Sequence, residues 1–370
     1  MRLPRRQLFR QMVAAAALAT FPSRFEHAAM APRRSLLRLD RNESPYGASE
    51  RAKAAFRESL FDCNRFPERD VEDLRAAVAR FHGVQVENIT LGCGSTELLQ
   101  MAGEAWLSPG KSLVMAEPSF ETASNVARLA GAEVRGIPLT HSYAHDLAAM
   151  RSRVDGDTAL VYICNPNNPT GTLTPKADLD SFLSDVPSHV RVLIDEAYHD
   201  YVTPTGSYAS WCPRAVSDPR LIVTRTFSKV HGLAGLRIGY AVSTPQTARE
   251  LAARRLPEAI SCASARTALA ALSDSAYVRK AAALNANQRQ EFFNQTNARM
   301  LRWIDSQTNF VLVAVEKPGT EMAGALRTKG VLVAAGFARF EKYIRVSLGS
   351  PDEMDAFWGV WDSFMPHHPM

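Results

Sequence analysis

The sequence predicts an α/β protein in which a mostly parallel sheet lies between helices. Short apolar runs rich in Val, Ile and Leu alternate with helical patterns through the middle of the chain, as in sheets covered on both faces. The predicted strands are residues 112–116, 133–137, 159–164, 190–194, 221–224 and 238–242, with helices between them at 120–129 and 175–183.

A second, smaller α+β domain is predicted after a long helix at residues 276–301. A strand, a helix, two strands and a final helix follow that helix, an order typical of an α+β unit. The predicted segments are an N-terminal head at 1–31, an arm at 32–60 that packs with the small domain, a large domain at 61–280 and a small domain at 281–370.

The charge of the chain is unevenly placed. Among the 370 residues, 46% are hydrophobic and 22% are charged, which indicates a globular protein. The net charge is +5, but residues 1–34 hold seven Arg and one Glu, so the remainder carries −1. This balance argues against a nucleic-acid partner, and no apolar run approaches the ~20 residues of a membrane span.

The basic head resembles a twin-arginine export signal. Arg5-Arg6 stands two places before a Leu-Phe pair, and a short Ala-rich stretch follows. We therefore expect residues 1–31 to direct export to the periplasm. The alternative is a cytoplasmic protein with an uncleaved basic arm. Residues 29–31 fit a small-x-small cleavage site, but Pro32 follows them, so the cleavage point stays open.

The cysteines offer no metal site, because none of them forms a Cys-x-x-Cys pair. An exported protein permits a disulfide, yet the spacing indicates no pairing, and buried single thiols are the default expectation. The five cysteines are Cys63, Cys93, Cys164, Cys212 and Cys262.

Chemistry-bearing residues follow two predicted strands directly. Lys229 comes just after residues 221–224, among hydroxyl side chains, with Arg237 eight places on. An amine can form a Schiff base and then move a proton. Asp195 follows 190–194, at the edge where open α/β sheets bind ligands. A solvated loop and a helix cap are the plain structural alternatives.

Two further loops fit a ligand site. Residues 91–99 form a glycine-bearing turn that opens a helix, where free N–H groups attract phosphate. Residues 165–171 read Asn-Pro-Asn-Asn-Pro-Thr-Gly, a tight loop after another predicted strand. A capped helix and an ordinary turn would explain each segment taken alone.

Together these segments resemble fold-type I pyridoxal-phosphate enzymes of aminotransferase class I/II, in particular the histidinol-phosphate aminotransferase branch. The resemblance runs from about Asp40 to Gly349. It implies a large domain that binds pyridoxal 5'-phosphate (PLP), with no metal. It also implies amino transfer between an amino acid and a 2-oxo acid through a Schiff base on Lys229.

The resemblance implies catalytic roles for Lys229, Asp195 and Tyr198, where Asp195 keeps the pyridine nitrogen protonated and Tyr198 binds the ring 3-oxygen. Residues implied to hold the phosphate, the ring face or the ring oxygen are Gly94, Ser95, Thr96, Phe120, Asn168, Thr226, Ser228 and Arg237. Residues implied to contact substrate are Tyr46, Asn168 and Arg345, the last as a fork for a carboxylate.

The chain departs from the family pattern at two positions. Phe66, after Arg65, stands where the family has a tyrosine that reaches the neighbouring subunit's site, and this segment implies a homodimer with shared active sites. Ala334 stands where histidinol-phosphate enzymes carry an arginine for the substrate phosphate; Arg339 in the adjacent loop is a candidate to compensate, but its spacing differs. These departures argue against histidinol phosphate as the substrate.

Two other functions fit the same resemblance. The scaffold also supports PLP-dependent decarboxylation, elimination or oxidation. A non-catalytic regulator on this fold would lack Lys229 or Asp195 and would often carry a DNA-binding segment, whereas both residues are present.

Overall fold

The computed structural model describes residues 36–364, and its strands form two sheets. In chain order the strands are β1 (Leu37–Leu39), β2 (Ile89–Gly92), β3 (Ser112–Glu117), β4 (Glu133–Pro138), β5 (Thr158–Cys164), β6 (Arg191–Asp195), β7 (Leu221–Thr226), β8 (Gly239–Ser243), β9 (Trp303–Ile304), β10 (Phe310–Ala314), β11 (Val331–Ala335) and β12 (Tyr343–Ser347).

Helices cover both faces of the larger sheet and pack on the smaller one. In chain order they are α1 (Glu50–Ser59), α2 (Glu68–His82), α3 (Ser95–Trp106), α4 (Thr122–Leu129), α5 (Leu147–Ser152), α6 (Lys176–Asp185), α7 (Cys212–Ala215), α8 (Pro245–Ala252), α9 (Cys262–Leu272), α10 (Ser275–Ala298), α11 (Gly319–Thr328) and α12 (Pro351–Asp362). Short 3₁₀ turns lie at Leu60–Asp62, Val86–Asn88, His199–Tyr201 and Ala234–Leu236.

The larger sheet has seven strands in the order β2-β8-β7-β6-β5-β3-β4. Neighbouring strands from β3 to β7 pair in parallel, whereas β8 is antiparallel to both β7 and β2. Only a loop and one 3₁₀ turn separate β7 from β8, so the chain reverses direction there without the crossover helix that a parallel strand would need. The predicted α/β fold class is confirmed, and β2 is a strand that the sequence analysis missed.

The order of the strands creates a crevice at the carboxyl ends of β3 and β5. Strand β3 lies between β4 and β5, so the connections on its two sides run in opposite directions along the sheet. Such a switch point is where open α/β sheets bind ligands. The loop after β3 carries Phe120 and the loop after β5 carries Asn168.

The smaller sheet has the order β1-β11-β12-β10-β9. Its core includes Phe292 of α10 and the aromatic side chains of α12, of which Phe357 and Trp361 are 1% exposed. Ser350 and Glu353 form a capping box at the start of α12, and Pro351 occupies its first turn, which fixes where that helix begins.

The N-terminal arm is shared between the two sheets. Strand β1 pairs in parallel with β11 of the smaller sheet. Helix α1 packs instead against α9, and its Ala52 is fully buried in the core beneath the larger sheet. The predicted head at 1–31 lies outside the described residues.

All five cysteines are free thiols in the structure. Cys164, Cys212 and Cys262 are buried as expected, whereas Cys63 is exposed because it follows the surface turn at Leu60–Asp62, and Cys93 is half-buried. Among residues 36–364, no helix is both long and apolar enough to cross a membrane, and no cluster of His, Cys, Asp and Glu has the makings of a metal site.

Candidate active site

A cavity of about 1150 Å³ opens at the carboxyl edge of the larger sheet. Eleven of the predicted site residues line it: Ser95, Thr96, Phe120, Asn168, Asp195, Tyr198, Thr226, Ser228, Lys229, Arg237 and Arg345. Gly94 is not a lining residue itself but immediately precedes Ser95, which is. Tyr46 does not line the cavity, and its carbonyl accepts a hydrogen bond from the Tyr277 hydroxyl. Its substrate role stays a prediction.

One end of the cavity is built for an anion. Helix α3 begins at Ser95 with no side chain capping its first turn in the described part of the chain, so its N–H groups face the cavity. Gly94 has a φ of +78°, and a Cβ there would lie 2.3 Å from the Arg237 Nη2. Glycine therefore lets the guanidinium lie against the start of the helix.

Arg237 itself adopts a left-handed backbone conformation, with φ of +49°. Such a conformation costs a non-glycine residue roughly 1 kcal/mol or more, and strain of this kind clusters at ligand sites. Arg237 Nη1 donates to Ser228 Oγ at 3.3 Å and to the carbonyl of Ala234 at 3.0 Å. Both acceptors are neutral, so the positive charge is left for a ligand.

Asp195, the last residue of β6, is 2% exposed at the opposite end of the cavity. The Tyr162 hydroxyl donates to Asp195 Oδ2 at 3.0 Å, and the Ala197 N–H donates to Oδ1 at 3.2 Å. Burial raises the pKa of Asp195 to about 6, against the pull of these hydrogen bonds. A cationic ligand group beside the carboxylate would lower this pKa again and favour the ionised form further.

Lys229 lines the same cavity, and the charges of both Arg237 and Asp195 act on its amine. Its Nζ donates to the carbonyl of Asn42 at 3.0 Å and stands 5.4 Å from the centre of the Tyr198 ring. Burial, together with the nearby positive charge of Arg345, lowers the pKa of Lys229 to about 7. Near neutral pH a large share of this amine is therefore unprotonated and nucleophilic.

Tyr198 is held by two amides. Asn42 Nδ2 donates to its hydroxyl oxygen at 3.0 Å, and Asn168 Nδ2 approaches the same oxygen at 3.5 Å. Burial raises the pKa of Tyr198, so the hydroxyl keeps its proton and remains a donor toward the cavity.

Arg345, on β12, faces the cavity from the smaller sheet and is 8% exposed. Its Nη1 donates to Asn168 Oδ1 at 2.5 Å and its Nη2 to the carbonyl of Asp40 at 2.9 Å. The guanidinium lies 5.2 Å from the ring centres of both Phe310 and Phe337. Its Nε is buried with no hydrogen-bond partner among the described residues, which points to an anionic ligand.

Sequence reasoning missed four residues that support the site: Asn42, Tyr162, Glu196 and Arg225. Tyr162 and Asn42 hold Asp195 and Tyr198, as described above. Glu196 and Arg225 form a buried ion pair behind the cavity. Arg225 carried a usable signal, since an arginine inside a strand that is buried along its whole length requires an acidic partner.

Comparison with known proteins agrees with this geometry. Residues 34–359 match the model of the family described as aminotransferase class I and II, which is most of the chain. The chain belongs to this family. The predicted family, enzyme class and PLP cofactor are thereby confirmed.

Relatives of this aminotransferase include histidinol-phosphate aminotransferase 1 of Cupriavidus pinatubonensis, 38% identical over 87% of this chain and 86% of the relative. The histidinol-phosphate aminotransferase of Bacillus subtilis is 36% identical over 88% of this chain and 90% of the relative. The crystal structure of histidinol-phosphate aminotransferase from Sinorhizobium meliloti in complex with pyridoxal-5'-phosphate has a TM-score of 0.83 at 28% identity, covering 89% of this chain and 91% of that one.

The residues of the cavity fit PLP. A phosphate matches the free N–H groups of α3 and the guanidinium of Arg237. Any side chain at Gly94 would collide with that guanidinium and close the space beside it. A protonated ring nitrogen matches the buried carboxylate of Asp195, and an aldehyde matches the amine of Lys229.

The lowered pKa of Lys229 generates a prediction for the cofactor-free protein. Burial disfavours the ammonium form, so reductive methylation of Lys229 should follow a midpoint near pH 7. Mass spectrometry of the peptides would give the rate at each pH, with exposed Lys111 as the internal control. A Lys229 midpoint at the ordinary lysine value of about 10.4 would contradict the assignment.

Proposed function

We propose that this aminotransferase moves an amino group between an amino acid that bears an α-carboxylate and a 2-oxo acid. The observation that carries the proposal is the position of Lys229, a half-buried amine that shares one cavity with an anion-binding helix start and a buried carboxylate. When bound, PLP supplies an aldehyde that condenses with amines and a ring that accepts the electron pair of the substrate α-carbon.

Each end of the cavity has its own task. Ser95, Thr96, Ser228 and Arg237 bind the phosphate, with Thr226 Oγ1 donating to Ser228 Oγ at 2.9 Å to fix that hydroxyl. The Asp195 carboxylate keeps the ring nitrogen protonated, since an adjacent anion raises the pKa of that nitrogen.

A second group of residues would contact the cofactor ring and move the reacting proton. Tyr198 and Asn168, whose side chains meet at the Tyr198 hydroxyl, would hold the ring 3-oxygen, and Phe120 of the cavity wall would cover the ring face. Lys229 Nζ would act as the base that takes the α-proton of the substrate and as the acid that returns it to a neighbouring carbon. Its low pKa keeps it available as a base near neutral pH.

Arg345 binds the substrate carboxylate in this proposal. Its buried Nε–H lacks a partner among the described residues, and the guanidinium is fixed by Asn168 and by the Asp40 carbonyl. A carboxylate satisfies the remaining donors in the plane of the fork.

Neither Ala334 nor Arg339 offers the cavity a cationic partner for a phosphate-bearing substrate. Ala334 offers no charge, and Arg339 is exposed and does not line the cavity. Although the relatives are named histidinol-phosphate aminotransferases, these two residues support an α-amino acid as the substrate of this protein.

The substitutions Lys229→Ala and Arg345→Ala should have different kinetic effects. Lys229→Ala removes the nucleophile and the base, so turnover should be abolished while PLP still binds. Arg345→Ala removes a contact made before and during the reaction, so KM should rise roughly 100-fold with a smaller change in kcat. Steady-state kinetics with a panel of amino acids and histidinol phosphate would measure both effects.

Arg339→Ala is the matched control for Arg345→Ala, because it removes an arginine of the same region that lies outside the cavity. Its KM should remain at the wild-type value. Borohydride reduction should attach the cofactor to the peptide that contains Lys229. Attachment to another lysine, or a kcat/KM highest for histidinol phosphate, would contradict the corresponding part of the proposal.

We also propose that the protein is a homodimer that uses the segment around Phe66. Apolar side chains on this stretch are exposed in the single chain, with Phe61 at 87% and Phe66 at 73%. Leu60 and Phe56 extend the same apolar surface. A contiguous exposed apolar patch of this kind supports a protein interface, here with a second copy of the chain.

The substitution Phe61→Glu should therefore dissociate the dimer. Sedimentation velocity should find the wild type at twice the 40.7 kDa chain mass and the variant at the single-chain mass. Leu129→Glu is the matched control, since Leu129 is 88% exposed but lies apart on α4. A fully active wild-type monomer would refute the shared active site.

Export to the periplasm is proposed from residues 1–31, which lie outside the described part of the chain. The support is Arg5-Arg6 with the apolar stretch that follows. In fractionated bacterial cells, the full chain should be periplasmic and the variant with Arg5→Lys and Arg6→Lys cytoplasmic. Arg33→Lys with Arg34→Lys is the matched control and should still be exported; a cytoplasmic wild type would favour the uncleaved basic arm.

A further inference from the structure

A buried ion pair lies directly behind the cavity. Arg225 Nε and Nη2 donate to Glu196 Oε2 at 3.0 and 2.8 Å, and the two residues are 7% and 1% exposed. Buried ion pairs are often no more stabilising than apolar residues of the same volume. Stability alone therefore does not account for placing two charges at this position.

The carboxylate of Glu196 is fixed from several directions. The Ser210 hydroxyl donates to Oε2 and the Trp211 N–H donates to Oε1, both at 2.7 Å. The Glu196 N–H donates to the carbonyl of Thr224 at 2.9 Å. With every oxygen engaged, Glu196 is a rigid anchor for the guanidinium rather than a mobile charge.

The two partners occupy matched places on neighbouring strands. Glu196 immediately follows Asp195 at the end of β6, and Arg225 immediately precedes Thr226 at the end of β7. The chain continues from Thr226 to Ser228 and Lys229. The ion pair thus joins the strand that carries the ring-nitrogen partner to the strand that leads to the phosphate hydroxyls and the lysine.

The net charge of Glu196 and Arg225 also matters for Asp195. A Glu196 carboxylate without Arg225 would place an unpaired anion one residue from Asp195, in a region from which water is excluded. With Arg225 present, the pair is neutral as a unit. Asp195 is then free to hold its own negative charge for a cationic ligand group.

We propose that Glu196 and Arg225 are positioning residues: their ion pair fixes the spacing between Asp195 and the Thr226–Lys229 segment, so that both ends of one ligand are gripped at once. The inference rests on the proposed function only in naming PLP as that ligand. Neither side chain lines the cavity, so each acts through its neighbour in the chain.

A double-mutant cycle tests this role without measuring activity. Equilibrium dialysis would measure PLP affinity for the wild type, Arg225→Met, Asp195→Asn and the double variant. We expect Arg225→Met to weaken PLP binding roughly tenfold or more in the wild-type background but less than about threefold in the Asp195→Asn background, because the effect passes through Asp195. Arg225→Lys should restore part of the loss, since it keeps the charge without the fork.

Inorganic phosphate is the second probe, because it tests one end of the cavity alone. Its affinity should change less than about twofold in Arg225→Met, since the helix start and Arg237 remain in place. If Arg225→Met does not fold, Glu196→Gln replaces it in the cycle, because glutamine keeps the shape of the side chain and most of its hydrogen bonds.

Arg220→Met is the matched control. Arg220 pairs with Asp218 at 2.8 Å, next to the opposite end of β7, far along the strand from Thr226. Its removal should lower thermal stability and leave PLP affinity unchanged.

Equal losses of PLP affinity in both backgrounds, or parallel losses of PLP and phosphate affinity, would overturn the positioning role. Failure of the wild type to bind PLP would instead overturn the proposed function. The two failures are therefore distinguishable.

Discussion

The exclusion of water from a few charged groups at the edge of the larger sheet is the constraint on which the active site depends. Burial favours the neutral form of every ionisable group, so it lowers the pKa of Lys229 to about 7 and raises that of Asp195 to about 6. The pKa values of an exposed lysine and an exposed aspartate differ by about 6.5. Burial has brought the pKa values of Lys229 and Asp195 to within about 1 of each other. A ligand that places an anionic group beside Arg237 and a cationic group beside Asp195 then changes the local charge, and with it the protonation of Lys229 and Asp195.

The smaller sheet takes part in this electrostatic arrangement through Asn42. Its backbone N–H donates to Ser347 Oγ at 2.8 Å, and its carbonyl accepts from Asn309 Nδ2 and from Lys229 Nζ, both at 3.0 Å. Its side chain holds the Tyr198 hydroxyl. A φ of +54° lets one short polar residue make all these contacts, and asparagine tolerates that conformation better than most residues. The arm that carries Asn42 is anchored by the pairing of β1 with β11, so the reactive amine is held from both sheets.

The sequence predicts this fold and much of the site because both follow from local patterns. Apolar runs mark the strands, and a residue that follows a parallel strand must lie at the carboxyl edge of the sheet, which places Asp195 and Lys229 without knowledge of their partners. The contacts of Tyr162 and Arg225 depend instead on the register between strands, which local patterns do not determine. The contact between the Tyr46 carbonyl and the Tyr277 hydroxyl joins residues far apart in the chain, and local patterns do not determine it either.

Arg345 illustrates how packing converts a charged side chain into a selective one. The rings of Phe310 and Phe337, together with Asn168 and the Asp40 carbonyl, fix the position of the guanidinium before any ligand arrives. The conformational entropy of the side chain is lost on folding rather than on binding, which favours affinity. Although burial lowers the pKa of Arg345, the guanidinium stays protonated at neutral pH. The Nε edge is the one left without a partner in the described chain, so a ligand carboxylate that lies in the plane of the guanidinium can accept a hydrogen bond from it.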